Sequence, residues 1–234
     1  MTSEHAALAR RDAVGDRAGS VARSAMSDRV YDILLDRIVT LDLEPGSRLP
    51  MDRLTHELGV SLSPLREALN RLSSQGLIVV APYKGWAVSE LPSLAEIRQL
   101  FSTRELLEAG AIRQAAAGAM LPERLADLVR QMSALAGSEL LDVRTANELD
   151  AQFHRTLTGL AGNRYLLAAF DSLHAHVQIA RLYRDKSSSQ MRLANREHAA
   201  IVDALSGGDT EGAVSAAVTH LAATLSRLEM RMKG

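Results

Sequence analysis

The sequence predicts a mainly α-helical protein, with an N-terminal winged helix-turn-helix followed by a C-terminal antiparallel six-helix bundle. Three observations lead to this prediction. Residues 49–88 have the pattern of two short helices around a glycine, followed by two short strands, and residues 92–234 show helical periodicity almost throughout. Hydrophobic residues make up 47% of the chain and aromatic residues only 3%, which favours helices packed through aliphatic side chains.

The helix-turn-helix prediction centres on Gly59. We expect a first helix from Met51 to Leu58, with Gly59 directly after it, because glycine adopts left-handed backbone angles without a steric cost. The second helix is expected from Pro64 to Gln75, with Ser61 or Ser63 as its N-cap. The proline then lies in the first turn, where a helix needs no backbone N–H.

A β-hairpin is predicted directly after the second helix. Its strands are Leu77–Val80 and Trp86–Val88, joined by a turn at residues 82–85. A helix-turn-helix followed by such a hairpin is a winged helix, whose second helix enters the major groove of double-stranded DNA. A purely structural helical hairpin is the alternative for the helix-glycine-helix segment taken alone.

Composition limits the remaining possibilities. The chain has no cysteine, which excludes disulfides and thiolate metal sites. No apolar run approaches 18 residues and the N-terminus has no hydrophobic signal core, so we expect a cytoplasmic protein without a membrane partner. The net charge is −1, so DNA binding must depend on local positive charge and on two copies acting together. We expect a flexible tail at 1–24, the winged helix at 25–91 and the bundle at 92–234.

Six helices are expected after Pro92, and short connections make them antiparallel neighbours. The first begins at the Ser93 cap, with Glu96 as the capping-box partner. Metal and cofactor sites in bundles are built from inward-facing side chains on neighbouring helices. The expected helices run from Ser93 to Gly118, Pro122 to Gly137, Asp142 to Leu160, Arg164 to Asp185, Gln190 to Leu205 and Thr210 to Met232.

Four residues of the bundle form a candidate metal site. Asp150 and His154 share one face of the third helix, and His198 and His220 lie midway along the fifth and sixth helices. Burial of such groups without partners is costly, and nitrogen and oxygen ligands without sulfur suit Zn²⁺, Ni²⁺, Mn²⁺ or Fe²⁺. For the Asp150–His154 pair alone, an intrahelical ion pair or a hydrogen-bonded core histidine is the alternative. His174 and His176 are expected at surface or core-filling positions.

Residues 27–90 contain four stretches that recur, in this order and spacing, in one protein family. They are Pro45-Gly46-Ser47-Arg48-Leu49, Leu58-Gly59-Val60-Ser61, Pro64-Leu65-Arg66-Glu67-Ala68-Leu69 and Gly76-Leu77-Ile78. This segment resembles the DNA-binding domain of the GntR family of bacterial transcription regulators. The resemblance implies that the residues at DNA-contacting positions are Arg53, Ser61, Ser63, Arg66 and Gly85.

Arg66 is the strongest candidate for pairing with a guanine edge. The sequence departs from the family pattern at Leu62, where many members have arginine, so the operator sequence of another member does not transfer to this chain.

The second half resembles the FCD ligand-binding domain of one GntR branch. The matching residues are Arg104-x-x-x-Glu108, Asp150-x-x-Phe153-His154, Gly162-Asn163, Glu197-His198 and His220. The resemblance implies a divalent metal, zinc before nickel, manganese or iron, held by Asp150, His154, His198 and His220. It also implies a small carboxylate effector that completes the coordination of the metal, with Arg104 helping to bind the anion.

These observations predict a ligand-responsive transcription regulator, a repressor, that acts as a homodimer on a palindromic operator. An effector that binds one bundle arrangement better than another would change operator affinity by population shift. A metal-sensing regulator is one alternative. A metalloenzyme is another, because a metal with open positions can activate water, but no general base is evident beside the site.

Overall fold

The structure is a computed structural model that describes residues 24–81, 85–115, 122–138, 142–182 and 187–233. Residues 1–23 of the predicted tail lie outside this part of the chain. The internal contacts divide the chain into two compact units, one up to Glu90 and one from Leu91 onward.

The first unit contains three helices and a two-stranded sheet among its described residues. Helix α1 covers residues 24–39, a helix that the sequence analysis did not assign, although its buried Val30, Leu34 and Ile38 recur at helical spacing. The other elements are α2 (Met51–Leu58), α3 (Leu62–Ser74), β1 (Ile78–Ala81) and β2 (Gly85–Val88).

The turn between α2 and α3 forms at the predicted glycine. Gly59 has φ 64° and ψ 35°, in the left-handed region. Ser61 is the N-cap of α3 through its extended backbone, without a side-chain hydrogen bond. The helix therefore begins at Leu62, two residues earlier than expected, and Pro64 is its third residue, where an N–H still has no partner within the helix.

The hairpin has the predicted antiparallel pairing, with Ile78 opposite Val88 and Val80 opposite Trp86. Residues 82–84 of its turn lie outside the described part. The chain before α2 adds a short bridge to β2, in which the Leu49 N–H donates to the Trp86 carbonyl at 2.8 Å. This bridge fixes the hairpin against the helices.

Every regular element among the described residues of the second unit is a helix. Apolar side chains from several of its helices, including Ile112, Leu128, Phe153, Leu157 and Ile201, form the largest core cluster. No described helix is both long and apolar enough to cross a bilayer. The helices are α4 (Leu94–Ala115), α5 (Pro122–Ala136), α6 (Val143–Gly159), α7 (Arg164–Ser172), α8 (Ala175–Ala180), α9 (Ser188–Ser206) and α10 (Thr210–Lys233).

The prediction of one continuous fourth helix, from Arg164 to Asp185, is wrong. His174 has φ 44° and ψ 32°, left-handed angles that no α-helix tolerates. The chain therefore breaks into α7 and α8, with the side chains after the break rotated relative to those before it. Histidine is among the residues enriched at left-handed positions, and this was the available sequence signal.

Candidate functional site

The exposed face of α3 carries the candidate DNA contacts. Leu65 and Leu69 are fully buried on the opposite face, and this burial directs Ser61, Ser63 and Arg66 into solvent. The alternation follows from helical geometry, since residues three and four apart share a face. The first unit therefore presents the predicted recognition residues on one accessible surface.

The two arginines of α3 have different surroundings. Arg71 pairs with Asp28 at 2.6 Å and lies 4.1 Å from the centre of the Tyr31 ring, so it joins α1 to α3. Arg66 makes no ion pair within the described residues. Its guanidinium is the one available for an external acceptor.

The remaining DNA candidates lie at the surface as well. Arg53 is exposed on α2. Gly85 begins β2 with φ 72°, and no atom lies within 4 Å of the place a Cβ would occupy. An open glycine at this position allows a backbone to approach closely.

Three buried imidazoles converge in the second unit, at three of the positions that the FCD resemblance implies for metal ligands. His154 on α6, His198 on α9 and His220 on α10 are 1–3% exposed. The Nε2 atom of His220 lies 3.2 Å from the Nε2 atoms of both His154 and His198. Two nitrogens bound to one zinc ion at 2.0–2.1 Å lie about 3.3 Å apart when the site is tetrahedral. The spacing therefore fits a shared cation.

Two of these rings contact a carboxylate through Nδ1, the ring nitrogen that does not face the cluster. His154 Nδ1 lies 2.7 Å from Glu108 Oε2, and His220 Nδ1 lies 2.8 Å from Glu197 Oε2. Carboxylates in this position commonly orient metal-binding histidines and increase their basicity.

Each of these carboxylates also pairs with an arginine. Glu108 Oε1 accepts from Arg104 Nε at 2.9 Å, and Glu197 accepts two hydrogen bonds from Arg227. Neither glutamate had a role predicted from the sequence.

The neighbouring charges determine whether the two carboxylates are protonated. Burial would raise the pKa of Glu108, but Arg104 and His154 outweigh it and lower the pKa to about 2. Burial also opposes ionisation of Glu197, whose pKa is nevertheless lowered to about 2 by Arg227 and His220. Both carboxylates are therefore ionised at neutral pH and only accept hydrogen bonds.

The Nε2 atom of His220 consequently has more hydrogen-bonding neighbours than its lone pair can accept from. Burial lowers the pKa of His220, so the ring is neutral, its Nδ1 hydrogen is donated to Glu197, and its Nε2 has a single in-plane lone pair. That lone pair accepts from at most one of the two nitrogens 3.2 Å away. A cation among the three nitrogens satisfies all of them.

Asp150 lies beside this cluster, together with a histidine that the sequence analysis placed elsewhere. Its Oδ1 is 3.6 Å from His198 Nε2 and its Oδ2 is 3.7 Å from His176 Nε2. His176, which was expected at a surface or core-filling position, lies on α8 after the break at His174 and lines the cavity beside the three histidines. Burial and the nearby Arg104 lower the pKa of His176 to about 3, so it too is neutral.

Arg104 lines a small cavity next to the cluster. Its side chain is 2% exposed and its Nη2 atom has no hydrogen-bond partner among the described residues. The cavity, which His154, His176 and His220 also line, measures about 30 Å³. This is room for at most two or three water molecules, at roughly 10–15 Å³ for each.

Comparisons with known proteins agree with the two-unit division. Residues 26–88 match the family described as bacterial regulatory proteins, gntR family, and residues 99–223 match the FCD domain. The FCD match alone spans more than half of the chain.

Several curated relatives match over most of their length. An uncharacterized HTH-type transcriptional regulator in an unstable DNA locus of Streptomyces ambofaciens is 30% identical, over 86% of this chain and 84% of its own. The HTH-type transcriptional repressor RspR of Escherichia coli is 29% identical, over 84% and 86%. A probable D-xylose utilization operon transcriptional repressor of Paenarthrobacter nicotinovorans is 29% identical, over 88% and 89%.

Solved structures share the fold. E. coli McbR/YncC has a TM-score of 0.66 and 22% identity, over 88% of this chain and 98% of its own. The Lar protein, described as controlling the Listeria monocytogenes agr system, has a TM-score of 0.65 and 24% identity, over 87% and 96%.

The families and relatives are transcription regulators and not enzymes, which removes the metalloenzyme alternative. The exposed face of α3, the hairpin beside it and the two family matches lead to one conclusion: the chain belongs to the GntR family and is a DNA-binding transcription regulator with an FCD domain.

Proposed function

We propose that this regulator is a metal-containing, effector-responsive repressor that binds a palindromic operator as a homodimer. The observation that carries the proposal is that His220 Nε2 lies 3.2 Å from the Nε2 atoms of both His154 and His198, with ionised carboxylates at the Nδ1 atoms of two of the rings. Without a metal, His220 Nε2 can accept from only one of the two nitrogens 3.2 Å away. A divalent cation among the three nitrogens would stabilise the arrangement.

His154, His198 and His220 would hold the ion, and Asp150 would supply an oxygen ligand. The donor set suits zinc, with nickel, manganese or iron as alternatives. A bound ion would act as a Lewis acid for an oxyanion. Its charge, together with that of Arg104, makes the adjacent cavity favourable for a small carboxylate effector.

DNA recognition would use the exposed face of α3. We assign base contacts to Ser61, Ser63 and Arg66, a phosphate contact to Arg53, and close approach of the hairpin backbone at Gly85. Two copies related by a two-fold axis would read two half-sites. Since DNA is the target, we expect the protein in the cytoplasm.

We favour repression over activation, because two relatives are named repressors. An effector larger than two or three water molecules does not fit the 30 Å³ cavity, so its binding requires a more open arrangement. Selective binding to that arrangement would shift the population and reduce operator affinity, typically by about 1–3 kcal/mol.

A metal-sensing regulator is the second candidate. The small cavity favours it, because an ion with a water molecule would occupy most of the available space. In that case operator affinity would follow the metal concentration with no organic acid present.

Three measurements on the full-length protein test the proposal. Elemental analysis should find one divalent ion per chain, and the doubly substituted variant His198→Ala/His220→Ala should lose it. Mass spectrometry of small molecules released from the same sample should identify the effector. Binding to duplexes selected from a random pool, with and without added zinc, separates effector response from metal response.

Arg155→Ala is a suitable control for the metal measurement, because Arg155 is an exposed residue of α6 that pairs with Asp171 at 2.9 Å. A wild-type protein that contains no stoichiometric metal after purification with added zinc would contradict the metal assignment. A wild-type protein that selects no duplex would contradict the DNA assignment separately.

A further inference from the structure

His176 differs from the other histidines of the site in the element that carries it. It lies on α8, a six-residue helix that follows the left-handed turn at His174. Its Nε2 atom is buried and makes no hydrogen bond within the described residues. The nearest carboxylate oxygen, Asp150 Oδ2, is 3.7 Å away, too far for a hydrogen bond.

The position of this nitrogen argues against a direct bond to the ion. The imidazole nitrogens of His154, His198 and His220 form one group that could hold an ion, whereas His176 belongs to a second group, with Asp150 and His154, that lacks His198 and His220. A ligand nitrogen must lie about 2.0–2.1 Å from zinc. A nitrogen further out reaches an oxygen atom that the ion holds, at an N···O distance of about 2.9 Å.

A second buried polar atom without a partner faces the same cavity. Glu108 occupies Arg104 Nε, which leaves Arg104 Nη2 without a hydrogen-bond partner among the described residues. Both Arg104 and His176 line the cavity next to His154 and His220. Two such atoms around one small cavity are costly unless a ligand satisfies them.

We propose that His176 is a specificity-determining residue for the effector, and that its Nε2 bonds a metal-held oxygen of a small oxyanion while Arg104 Nη2 bonds a second oxygen. This assignment rests on the proposed metal and effector site. It adds a contact from α8 to a site otherwise built from α4, α6, α9 and α10. A compact carboxylate, with two oxygens on one carbon, matches this pair of contacts.

The contact also gives the effector a connection to the core. Ile179, one turn after His176 on α8, packs against a cluster of Ile97, Phe101, Leu221 and Leu228 from α4 and α10. Movement of α8 on effector binding would therefore reach both helices.

The test uses the full-length protein loaded with Co²⁺ and titrated with acetate. The visible absorption of cobalt reports acetate binding directly, and competition with a chelating dye reports cobalt affinity. We expect His176→Ala to weaken acetate binding at least tenfold while cobalt affinity stays within about threefold of wild type. His176→Gln, which keeps a polar group, should recover part of the acetate affinity.

His174→Asn is the matched control. Asparagine tolerates left-handed angles, and His174 does not line the cavity, so both affinities should stay at the wild-type value. Far-UV circular dichroism checks that each variant is folded.

Unchanged acetate affinity in His176→Ala would overturn the assignment. A loss of cobalt affinity as large as that of His198→Ala would also overturn it, since His176 would then be a metal ligand. A wild-type protein that takes up no cobalt would reject the proposed function itself, and this contact with it.

Discussion

The two units of the chain differ in where their candidate functional groups lie, which is at the surface in the first unit and mainly in the interior in the second. In the first unit, the buried residues are apolar except Ser27, and the candidate DNA contacts are exposed. In the second unit, Arg104, Glu108 and His154 of the proposed site are at most 2% exposed, and the side chain of Asp150 is 25% exposed. We infer that function and stability are separable in the first unit and share residues in the second.

The chain offers a probe that distinguishes the two units. Its one tryptophan is Trp86, on β2 of the first unit, so tryptophan fluorescence reports that unit alone. Far-UV circular dichroism reports mainly the helices of the larger second unit. Each prediction can therefore be assigned to a unit in the intact protein.

The largest effect is expected from Glu108→Gln. This change removes a fully buried negative charge that accepts hydrogen bonds from Arg104 and His154, and it leaves the Arg104 charge without a counter-ion. Breaking a buried pair in this way costs about 3–5 kcal/mol. Urea unfolding followed by circular dichroism should show the loss.

Glu148→Gln is the matched control for this prediction. Glu148 forms an exposed pair with Arg144 at 3.0 Å, and such a pair contributes about 0–1 kcal/mol. Equal effects of the two substitutions, or an equal shift of the Trp86 transition, would show that the contrast between the units is false.

Acid should destabilise the second unit next most strongly. The folded-state pKa of His176 is about 3 and that of Glu108 about 2, below their usual 6.5 and 4.5. Between its folded-state pKa and its usual pKa, each group binds more protons in the unfolded chain than in the folded chain. The free energy of unfolding therefore falls as the pH decreases. We expect loss between about pH 6.5 and 3 from the histidine, and between about 4.5 and 2 from the glutamate.

The measurement is unfolding of chelator-treated protein at a series of pH values. The change for the glutamate is on the order of 3 kcal/mol for its full shift. A circular dichroism midpoint that stays constant from pH 6.5 to 3 would contradict the buried, neutral state of His176.

Arg66→Ala tests the first unit, in which we infer that function and stability are separable. Removal of an exposed guanidinium that contacts a guanine edge should weaken binding to a selected duplex by about 1–3 kcal/mol. Stability should change by less than about 0.5 kcal/mol, as for other surface positions. Arg144→Ala removes the same charge from the second unit, and its duplex affinity should equal that of wild type.

The smallest effects come from two glycines. Gly59→Ala places a Cβ at φ 64° with no atom within 4 Å, so only backbone strain acts, at about 1–2 kcal/mol. Gly110→Ala lies inside α4, also without a nearby atom, and should stabilise by about 0.5–1 kcal/mol because alanine favours helix. Differential scanning calorimetry should show melting shifts of opposite sign.

Sequence patterns predicted what is local. The Gly59 turn and the antiparallel pairing of the hairpin both follow from residues spaced a few positions apart. The convergence of the three histidines does not, since they lie on three helices and are 22 to 66 positions apart; it was implied by the resemblance to the FCD domain. Pairing of a ring with its supporting carboxylate does not follow from such spacing either, since Glu108 and His154 are separated by 46 positions. Such contacts depend on how helices pack, which periodicity does not specify.

The break before α8 could not be predicted for a related reason. Periodicity averages over a window of residues, and one left-handed residue inside an apolar pattern hardly alters that average. The position of His176 therefore depended on a single backbone angle.

That angle has an evolutionary consequence. A homologous chain in which this helix ran unbroken would present a different side chain to the cavity, although every proposed metal ligand stayed the same. Selectivity for signalling molecules in this architecture can therefore diverge through a change of helical phase, without any substitution among the groups that hold the ion.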